Sequence, residues 1–444
     1  MLPAPDFLAV APFRVVPSLF HWRYSDGLLR GVCWFGMAVS AALLAGIPQA
    51  GPVWAAMLAW LVVWALYLSI VNIGQTFYAF GWETLLLEAG FIAVFLGPDW
   101  MTPPVTVIWA IRWLLFRLEV GAGLIKVRHD ACWRDLTCLY YHHETQPMPN
   151  PLSWYFHRLP RPIHRLEVVG NHVGQLLAPF ALFGPQPLAG AAGLLMVVLQ
   201  VWLILSGNFA WLNVLTITLA FAAFDDRQLG LVLPIGHGDL ADPPLWFAVV
   251  VLAFTVVVAV LSYWPVRNLL SRRQLMNASY NPLHLVNTYG VFGQITRDRY
   301  EVILEGTESP ELSADTVWTA YDFKGKPGQP KRRPPQVAPY HLRLDWLMWF
   351  AALAPPTMHP WLVPLVSKLL VNDRPTLRLL LSNPFPDRPP TFIRASLYQY
   401  RFTGWRERKE IGAWWTRSRV GDYLPPLCLA PAPEPDRDRA SPSG

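Results

Sequence analysis

Residues 105–126 read VTVIWAIRWLLFRLEVGAGLIK, a stretch that is long and apolar enough to cross a bilayer as a helix yet carries ionisable side chains. Arg112, Glu119 and Lys126 follow one another at intervals of seven residues, which returns them to nearly the same helix face. Such groups are costly in a membrane unless they face a bundle interior, pair together or line a wet cavity. The stretch therefore predicts a membrane helix whose polar stripe is turned inward.

Two interpretations of this stripe stay open at the level of sequence. We expect Arg112 and Glu119 to form a structural pair. Lys126, near the helix end, either extends its ammonium to the membrane surface or lies buried as a base or substrate contact. Gly121 and Gly123 would let another backbone or a ligand approach it closely.

The remainder of the first 264 residues resembles this stretch in composition. Across 444 residues 53% are hydrophobic and 15% are charged, against about 25% charged in a soluble domain, which excludes an ordinary soluble globule. We predict a multi-pass α-helical membrane protein with six to eight transmembrane helices, since the third and fifth candidates are short or polar. The candidate spans are 28–47, 53–73, 84–97, 105–125, 168–183, 188–205, 209–224 and 245–264.

These spans divide the chain into an N-terminal segment at 1–27, helices one to four at 28–125, a loop at 126–167 and helices five to eight at 168–264. A second polar stripe runs into the fifth span, where Glu167, Asn171 and Gln175 follow one another at intervals of four, with His164 and His172 nearby. Polar side chains in membrane helices serve either to join helices or to form a site. Both roles stay open for this second stripe.

After residue 264 the charged residues concentrate, and short stretches such as 300–305 and 317–323 alternate in the manner of strands. We predict a C-terminal β-rich soluble domain at 277–403, followed by a segment at 404–444 that is disordered after about 424. Residues 324–339, KGKPGQPKRRPPQVAP, predict an exposed loop. Its Lys331, Arg332 and Arg333 are either solvated or contact lipid headgroups or a client protein; no nucleic-acid-binding module is evident.

The segment 127–165 is too long and too aromatic for a plain connector, which favours a functional loop. If the protein is an enzyme, Lys126, His142, His143 and Glu144 are the candidate catalytic residues. None of these residues has a familiar metal-ligand spacing, so we expect neither a metal nor a cofactor. Cys132 and Cys138 are six positions apart; a disulfide in an oxidising compartment, two thiols and a redox pair all stay open.

The strings LIKVRHDACWRDLTCLYYHHETQPMPNPLSWYFHRLP and HRLEVVGNHVGQLLAPF resemble the central signature of the lipase maturation factor family. NTYGVFGQITRDRYEVILEGT and WTAYDFKGKPGQPKRRPPQVAPYHLRLDWLMWFAAL resemble that family's soluble domain, in the same order. The resemblance runs from about residue 14 to residue 415. It implies a non-catalytic membrane chaperone that helps secreted lipases fold, assemble and leave the cell. It also implies residence in the endoplasmic reticulum membrane, or in the cell membrane of a bacterium.

Two expectations compete with this one. The distribution of Lys and Arg over eight spans places the basic tail on the cytoplasmic side, whereas the family places its soluble domain with the client. The segment GAGLIK is also similar to the membrane core of vitamin K-dependent γ-carboxylase-like proteins. That similarity implies the alternative of a membrane-embedded enzyme with Lys126 as base in an intramembrane cavity.

Overall fold

The structure is a computed structural model that describes residues 2–232 and 240–429. It separates into two compact units. Unit 1 comprises Met1–Arg297 and Pro335–Arg343, and unit 2 comprises Asp298–Pro334 and Leu344–Gly444. The domain boundary predicted at 277 is therefore placed about twenty residues too early.

Unit 1 is helical. Several helices have a proline as N-cap, among them Pro52, Pro104 and Pro244, at positions where a missing N–H costs nothing. The helices are α1 (Ala4–Val10), α2 (Asp26–Leu44), α3 (Val53–Ile73), α4 (Gly81–Ala93), α5 (Val105–Arg128), α6 (Ala131–Arg134), α7 (Leu139–Thr145), α8 (Ser153–His157), α9 (Arg161–His172), α10 (Ala178–Ala181), α11 (Leu188–Ser206), α12 (Leu212–Ala220), α13 (Asp226–Leu229), α14 (Leu245–Leu261) and α15 (Tyr263–Leu270).

Four stretches of helix in the described residues are long and apolar enough to cross a membrane: Asp26–Leu44, Val53–Ile73, Leu188–Ser206 and Leu245–Leu270. They correspond to the first, second, sixth and eighth predicted spans. Helix α5 is also long, at 24 residues, but it carries four charged side chains between Arg112 and Lys126. The count of six to eight spans stays a prediction.

Three predicted spans differ from the helices observed. Residues 84–97 contribute only to α4, which ends at Ala93. Residues 168–183 are not one helix, because a π turn at Val173–Leu177 follows α9 and a proline, Pro179, begins the next short helix. Residues 209–224 contain the nine-residue helix α12 and a short 3₁₀ turn. Apolar composition gives no information on these interruptions.

Helix α5 lies at the centre of unit 1. Leu114 and Leu115 are fully buried, in a core to which α4, α11, α12 and α14 also contribute. On another face, Gly121 is so close to the chain at Tyr289 that an added Cβ would lie 2.3 Å from the Tyr289 carbonyl oxygen. Gln274 Nε2 donates to the Gly121 carbonyl oxygen at 2.9 Å. The close backbone approach expected at Gly121 is therefore present, and the approaching segment is 274–290.

An ion pair between two buried side chains fixes this segment further. Arg117 donates to the Glu88 carboxylate of α4 and, at 2.6 Å, to the Asn287 carbonyl oxygen. Glu88 also accepts from the Asn287 backbone N–H at 2.9 Å and from the Tyr289 hydroxyl at 2.8 Å. A buried charge needs several partners of this kind. Arg117 lies outside the stripe predicted from the interval of seven residues.

The predicted loop at 126–167 is better described as three short helices, α6 to α8, because Lys126 still belongs to α5. Its proline-rich part closes the C-terminal end of α11, whose last carbonyl groups have no partners within the helix. Asn150 Nδ2 donates to the carbonyl oxygens of Ile204 and Leu205, and Ser153 Oγ donates to that of Ser206 at 2.7 Å. The order of this loop therefore depends on α11.

In its described residues, unit 2 contains one four-stranded antiparallel sheet of order β2-β1-β3-β4 and four short α-helices. The strands are β1 (Arg299–Thr307), β2 (Thr319–Ala320), β3 (Phe392–Phe402) and β4 (Trp415–Leu427), and the helices are α16 (Arg343–Ala351), α17 (Leu362–Leu370), α18 (Arg374–Leu377) and α19 (Trp405–Ile411). Helix α16 begins at Arg343, the last residue of unit 1.

Two predictions for unit 2 need correction. The predicted domain end at 403 and the predicted disorder after 424 are wrong for residues 415–427, because β4 pairs with β3 from Trp415 opposite Phe402 to Leu427 opposite Ile393. The disorder expected for 430–444 lies outside the described residues. The predicted strand at 317–323 shortens to the two residues of β2.

The predicted loop at 324–339 has no regular secondary structure but is not fully exposed. Lys326 is buried, and its Nζ lies 2.8 Å from Glu301 Oε2, while Arg299 Nε donates to Glu301 Oε1 at 2.9 Å. Arg332 donates to the carbonyl oxygens of Phe323 and Lys324. The side chains of Lys326 and Arg332 therefore anchor this loop. From the sequence alone, both are simply basic residues of an exposed loop.

The close approach at Gly121 leads to a prediction. Gly121→Ala should destabilise unit 1 by roughly 1–3 kcal/mol, because a backbone oxygen cannot move aside as a flexible side chain can. Gly90→Ala, in helix α4 with no atom within 4 Å of the added Cβ, is the matched control and should be neutral or stabilising by up to about 1 kcal/mol. Thermal unfolding of the detergent-solubilised protein measures both. Equal transition temperatures for the two variants would contradict the packing described.

Candidate functional site

A cavity in unit 1 brings together most of the polar residues singled out in the sequence. It measures about 90 Å³ as space open to the centre of a water molecule, enough for several waters. Helices α5, α7, α9, α11 and α12 contribute to its walls, with Val291 and Phe292 of the following segment. Its polar lining includes Glu119, Lys126, His142, His143, Glu167 and Gln175.

Lys126 is buried at one side of this cavity and does not extend to the surface. Its Nζ donates to Asn171 Oδ1 at 3.0 Å and to Gln175 Oε1 at 2.8 Å. The same ammonium lies 4.9 Å from the centre of the Trp133 ring, within cation–π range. Neither of the two interpretations of Lys126 given above named its hydrogen-bond partners. The second predicted stripe supplies two of them.

Glu119 is joined to Lys126 through an amide. Gln175 Nε2 donates to Glu119 Oε2 at 3.0 Å, and Gln200 Nε2 donates to Glu119 Oε1 at 2.9 Å. Asn213 Nδ2 in turn donates to Gln200 Oε1 at 2.7 Å. Side chains of α5, α9, the π turn, α11 and α12 thus form one continuous hydrogen-bonded chain, which we call the polar network: Lys126, Asn171, Gln175, Glu119, Gln200 and Asn213.

The predicted pair of Arg112 and Glu119 is wrong. Arg112 donates from Nε to the Ala222 carbonyl oxygen at 2.7 Å and from Nη1 to the Leu182 carbonyl oxygen at 3.0 Å. Ala222 and Leu182 lie at the ends of helical segments, where carbonyl groups lack intrahelical partners and attract a cation. An interval of seven residues predicts a shared helix face but not the length along the helix that two side chains can span.

The two adjacent histidines line the cavity as neutral rings. His142 packs edge-on against Phe292 at 5.1 Å between ring centres. Burial lowers the pKa of His142 to about 3 and also lowers the pKa of His143. Glu144, the third residue of this candidate set, is not among the described residues that line the cavity; its Oε1 lies 3.9 Å from His157 Nε2.

The second predicted stripe divides into two groups. Asn171 and Gln175 belong to the polar network, whereas Glu167 accepts from Trp202 Nε1 at 2.8 Å and lies 2.9 Å from His164 Nδ1. His172 is directed elsewhere, with its Nε2 3.0 Å from the Trp133 carbonyl oxygen. Glu167 and Asn171 lie one turn apart on α9, so the division begins before the π turn that carries Gln175.

Cys132 and Cys138 form a disulfide, with their Cα atoms 4.8 Å apart. Asp130 caps α6 by accepting from the Cys132 backbone N–H at 3.0 Å, and Arg297 Nη2 donates to Asp130 at 3.0 Å. The bridge belongs to a small buried cluster with Trp133, the residue against which Lys126 packs. Of the alternatives open in the sequence, the disulfide is the one present. Cys33 and Cys428 are free and exposed.

Three residues of this site were not predicted from the sequence. Gln200 and Asn213 complete the polar network, and Trp202 holds Glu167. A signal for the first two existed, since an amide within an otherwise apolar membrane helix is costly without a partner. No comparable signal exists for Trp202, because aromatic residues are common throughout such helices.

Comparison with known proteins supports one family over both parts of the chain. Residues 1–231 match the lipase maturation factor transmembrane domain, and residues 285–425 match the lipase maturation factor C-terminal domain. No solved structure matches. The match to a transmembrane domain agrees with the four apolar helices, and the protein is a membrane protein.

Similar curated proteins agree with the family models. Lipase maturation factor 1 of Bos taurus is 45% identical over 95% of this chain and 79% of its own length. Lipase maturation factor 1 of Homo sapiens is 44% identical over 97% of this chain and 80% of its own length. Lipase maturation factor 2 of Homo sapiens is 30% identical over 83% of this chain and 69% of its own length. The chain therefore belongs to the lipase maturation factor family.

Proposed function

We propose that this protein is a membrane-bound factor that assists the folding, assembly and secretion of lipases. The observation that carries the proposal is the similarity to proteins named lipase maturation factor 1, which extends through both units at 45% identity over 454 residues. If these relatives shared only a membrane anchor with this chain, the similarity would be confined to unit 1. The relatives therefore resemble this chain in the unit that holds the cavity and in the unit that holds the sheet.

Unit 2 is the part that we assign to client contact. Lys331 and Arg333 are exposed, whereas Arg332 between them is tied to two carbonyl oxygens. The Arg333 guanidinium lies 5.1 Å from the Trp414 ring centre, and Arg408 packs on the same ring at 3.5 Å. Arginine stacked on an aromatic ring is common at protein interfaces. Together, Lys331, Arg333 and Trp414 define a basic and aromatic surface, which we call the client surface.

The disulfide supports a location outside the cytoplasm for the loop that carries it. Disulfides persist in the lumen of the endoplasmic reticulum and in the bacterial periplasm, where secreted lipases also fold. We accordingly assign the protein to the membrane of the endoplasmic reticulum in a eukaryote or to the cell membrane in a bacterium. The loop at 126–160 and the client surface would then face the same compartment, against the orientation expected from Lys and Arg.

The alternative of a carboxylase-like enzyme is not favoured by the comparisons, whose similar proteins carry lipase maturation names. Lys126 does line a cavity, as that alternative expects. However, its ammonium donates to two amide oxygens and packs on Trp133. These contacts favour a lysine that organises the bundle.

Secretion of an active lipase tests the proposed function. Expression of this chain in cells that lack their own maturation factor should restore the activity of a co-expressed secreted lipase in the medium. The double variant Lys331→Ala, Arg333→Ala should weaken client binding about two- to tenfold, since each exposed ion pair contributes up to about 1 kcal/mol. Lys409→Ala, Arg406→Ala removes two positive charges from other exposed positions and is the matched control.

Absence of restored activity, with the chain present at normal levels, would contradict the proposed function. Equal losses of client binding in the two double variants would contradict the assignment of the client surface but not the proposed function.

A topology map tests the proposed location. In a Cys33→Ser, Cys428→Ser background, single cysteines at exposed Asp135 and Lys331 should both react with an impermeant maleimide applied from the client side, because the bonded Cys132 and Cys138 are not reactive thiols. The readout is mass-tagged protein before and after membrane disruption. If either cysteine reacts only once the reagent reaches the cytoplasmic side, that position cannot contact a secreted lipase.

A further inference from the structure

Beside the polar network lies a compact group of three side chains that neither the network nor the client surface uses. His143 of α7 meets His164 and Glu167 of α9, and one ligand atom from each lies within 4.8 Å of the other two. His164 Nδ1 is 2.9 Å from Glu167 Oε2, and His143 Nε2 is 3.9 Å from the same oxygen. A tetrahedral zinc site places neighbouring ligand atoms about 3.3 Å apart. The two distances to Glu167 Oε2, 2.9 Å from His164 and 3.9 Å from His143, lie on either side of that value.

His143 lacks the partners that a buried imidazole normally has. The residue is 2% exposed, and neither Nδ1 nor Nε2 has a hydrogen-bond partner among the described residues. A buried polar atom without a hydrogen-bond partner destabilises the folded protein. His143 Nε2 is directed at Glu167, so the unsatisfied ring nitrogen points into the three-residue group. A cation there would give Nε2 a partner and so remove its share of this destabilisation.

Neighbouring side chains hold the three-residue group in place. Trp202 Nε1 donates to Glu167 Oε1 at 2.8 Å, which leaves Oε2 for the two histidines. The ring of Tyr140 packs edge-on at 5.9 Å from that of His164, and the ring of Phe156 lies 5.5 Å from that of His143. Such contacts restrict ligand orientation, as the residues around protein metal sites do.

We propose that His143, His164 and Glu167 bind a divalent transition-metal ion, with Zn²⁺ the best fit. Two imidazole nitrogens and one carboxylate oxygen are a common zinc ligand set, and they leave one coordination position open. His143 and Glu167 both line the cavity described above, so the fourth ligand, a water or a group of a bound molecule, comes from there. The site joins α7 to α9 and lies in a region where the sequence led us to expect no metal.

This inference does not depend on lipase maturation, because metal binding has its own readout. The full chain, purified in detergent with a tag free of histidine and stripped with a chelator, is titrated with Co²⁺ and then with Zn²⁺. We expect one metal per chain by mass spectrometry, the intense visible absorption of tetrahedral Co²⁺, and its loss as Zn²⁺ displaces the cobalt. Less than a tenth of an equivalent, or the weak spectrum of octahedral surface binding alone, would overturn the proposal.

Variants locate the site. His143→Gln and Glu167→Gln should each weaken Zn²⁺ binding at least about tenfold, since even outer residues of a metal site contribute that much. His172→Gln, also on α9 but bonded to the Trp133 carbonyl oxygen, is the matched control and should retain full affinity. Zn²⁺ should raise the unfolding temperature of the unsubstituted protein and of the control. Unchanged affinity in His143→Gln would overturn the assignment, and the titration of the unsubstituted chain decides the proposal if a variant fails to fold.

Discussion

The arrangement of unit 1 depends on how the charges of helix α5 are satisfied inside an apolar bundle. Lys126 and Glu119 are buried and joined through the amide of Gln175, which accepts from one and donates to the other. Gln200 and Asn213 extend the same chain to α11 and α12. A buried charge without a partner costs several kcal/mol. Helices that supply the partners must therefore keep their positions around α5.

Another charge on α5, that of Arg117, fixes the segment that leads out of the bundle. Arg117 and Glu88 are completed by Asn287 and Tyr289, and the missing side chain of Gly121 permits the close approach of Tyr289. The cavity, the disulfide and the three-residue group beside it all lie around the C-terminal half of α5 and the segment after it. This clustering explains why one loop of about forty residues carries so many aromatic and titratable side chains.

Much of this site could be predicted from sequence because burial of charge is restrictive. Glu119, Lys126, Asn171 and Gln175 are conspicuous in apolar surroundings, and the structure brings all four together. The incorrect pairing of Arg112 arose because helix periodicity gives the face of a side chain but not its reach. Periodicity likewise does not show that Glu167 and Asn171, one turn apart on α9, have different partners. Whether Cys132 and Cys138 form a disulfide depends on how oxidising their compartment is, as well as on their spacing.

The fold was predictable at a coarser level. Four apolar helices were identifiable because a membrane span needs a minimum length, and β1 because its residues alternate or branch at Cβ. The edge strand β4 was missed since it contains Pro425, Pro426 and two arginines. Such residues are usual at a sheet edge but weaken any prediction of a strand. Similarly, Lys326 appears as one basic residue in a loop and gains its buried partner Glu301 only by tertiary contact.

A double-mutant cycle on Lys126 and Glu119 tests most directly whether these two charges organise unit 1. The free energy of unfolding in mixed micelles would be measured for Lys126→Met, Glu119→Gln and the double variant. Each single variant leaves one buried charge uncompensated, so the double variant should be less destabilised than the sum of the two, by at least about 1 kcal/mol. Effects that add to within about 0.5 kcal/mol would show that the two residues act independently and would contradict their role in organising the bundle.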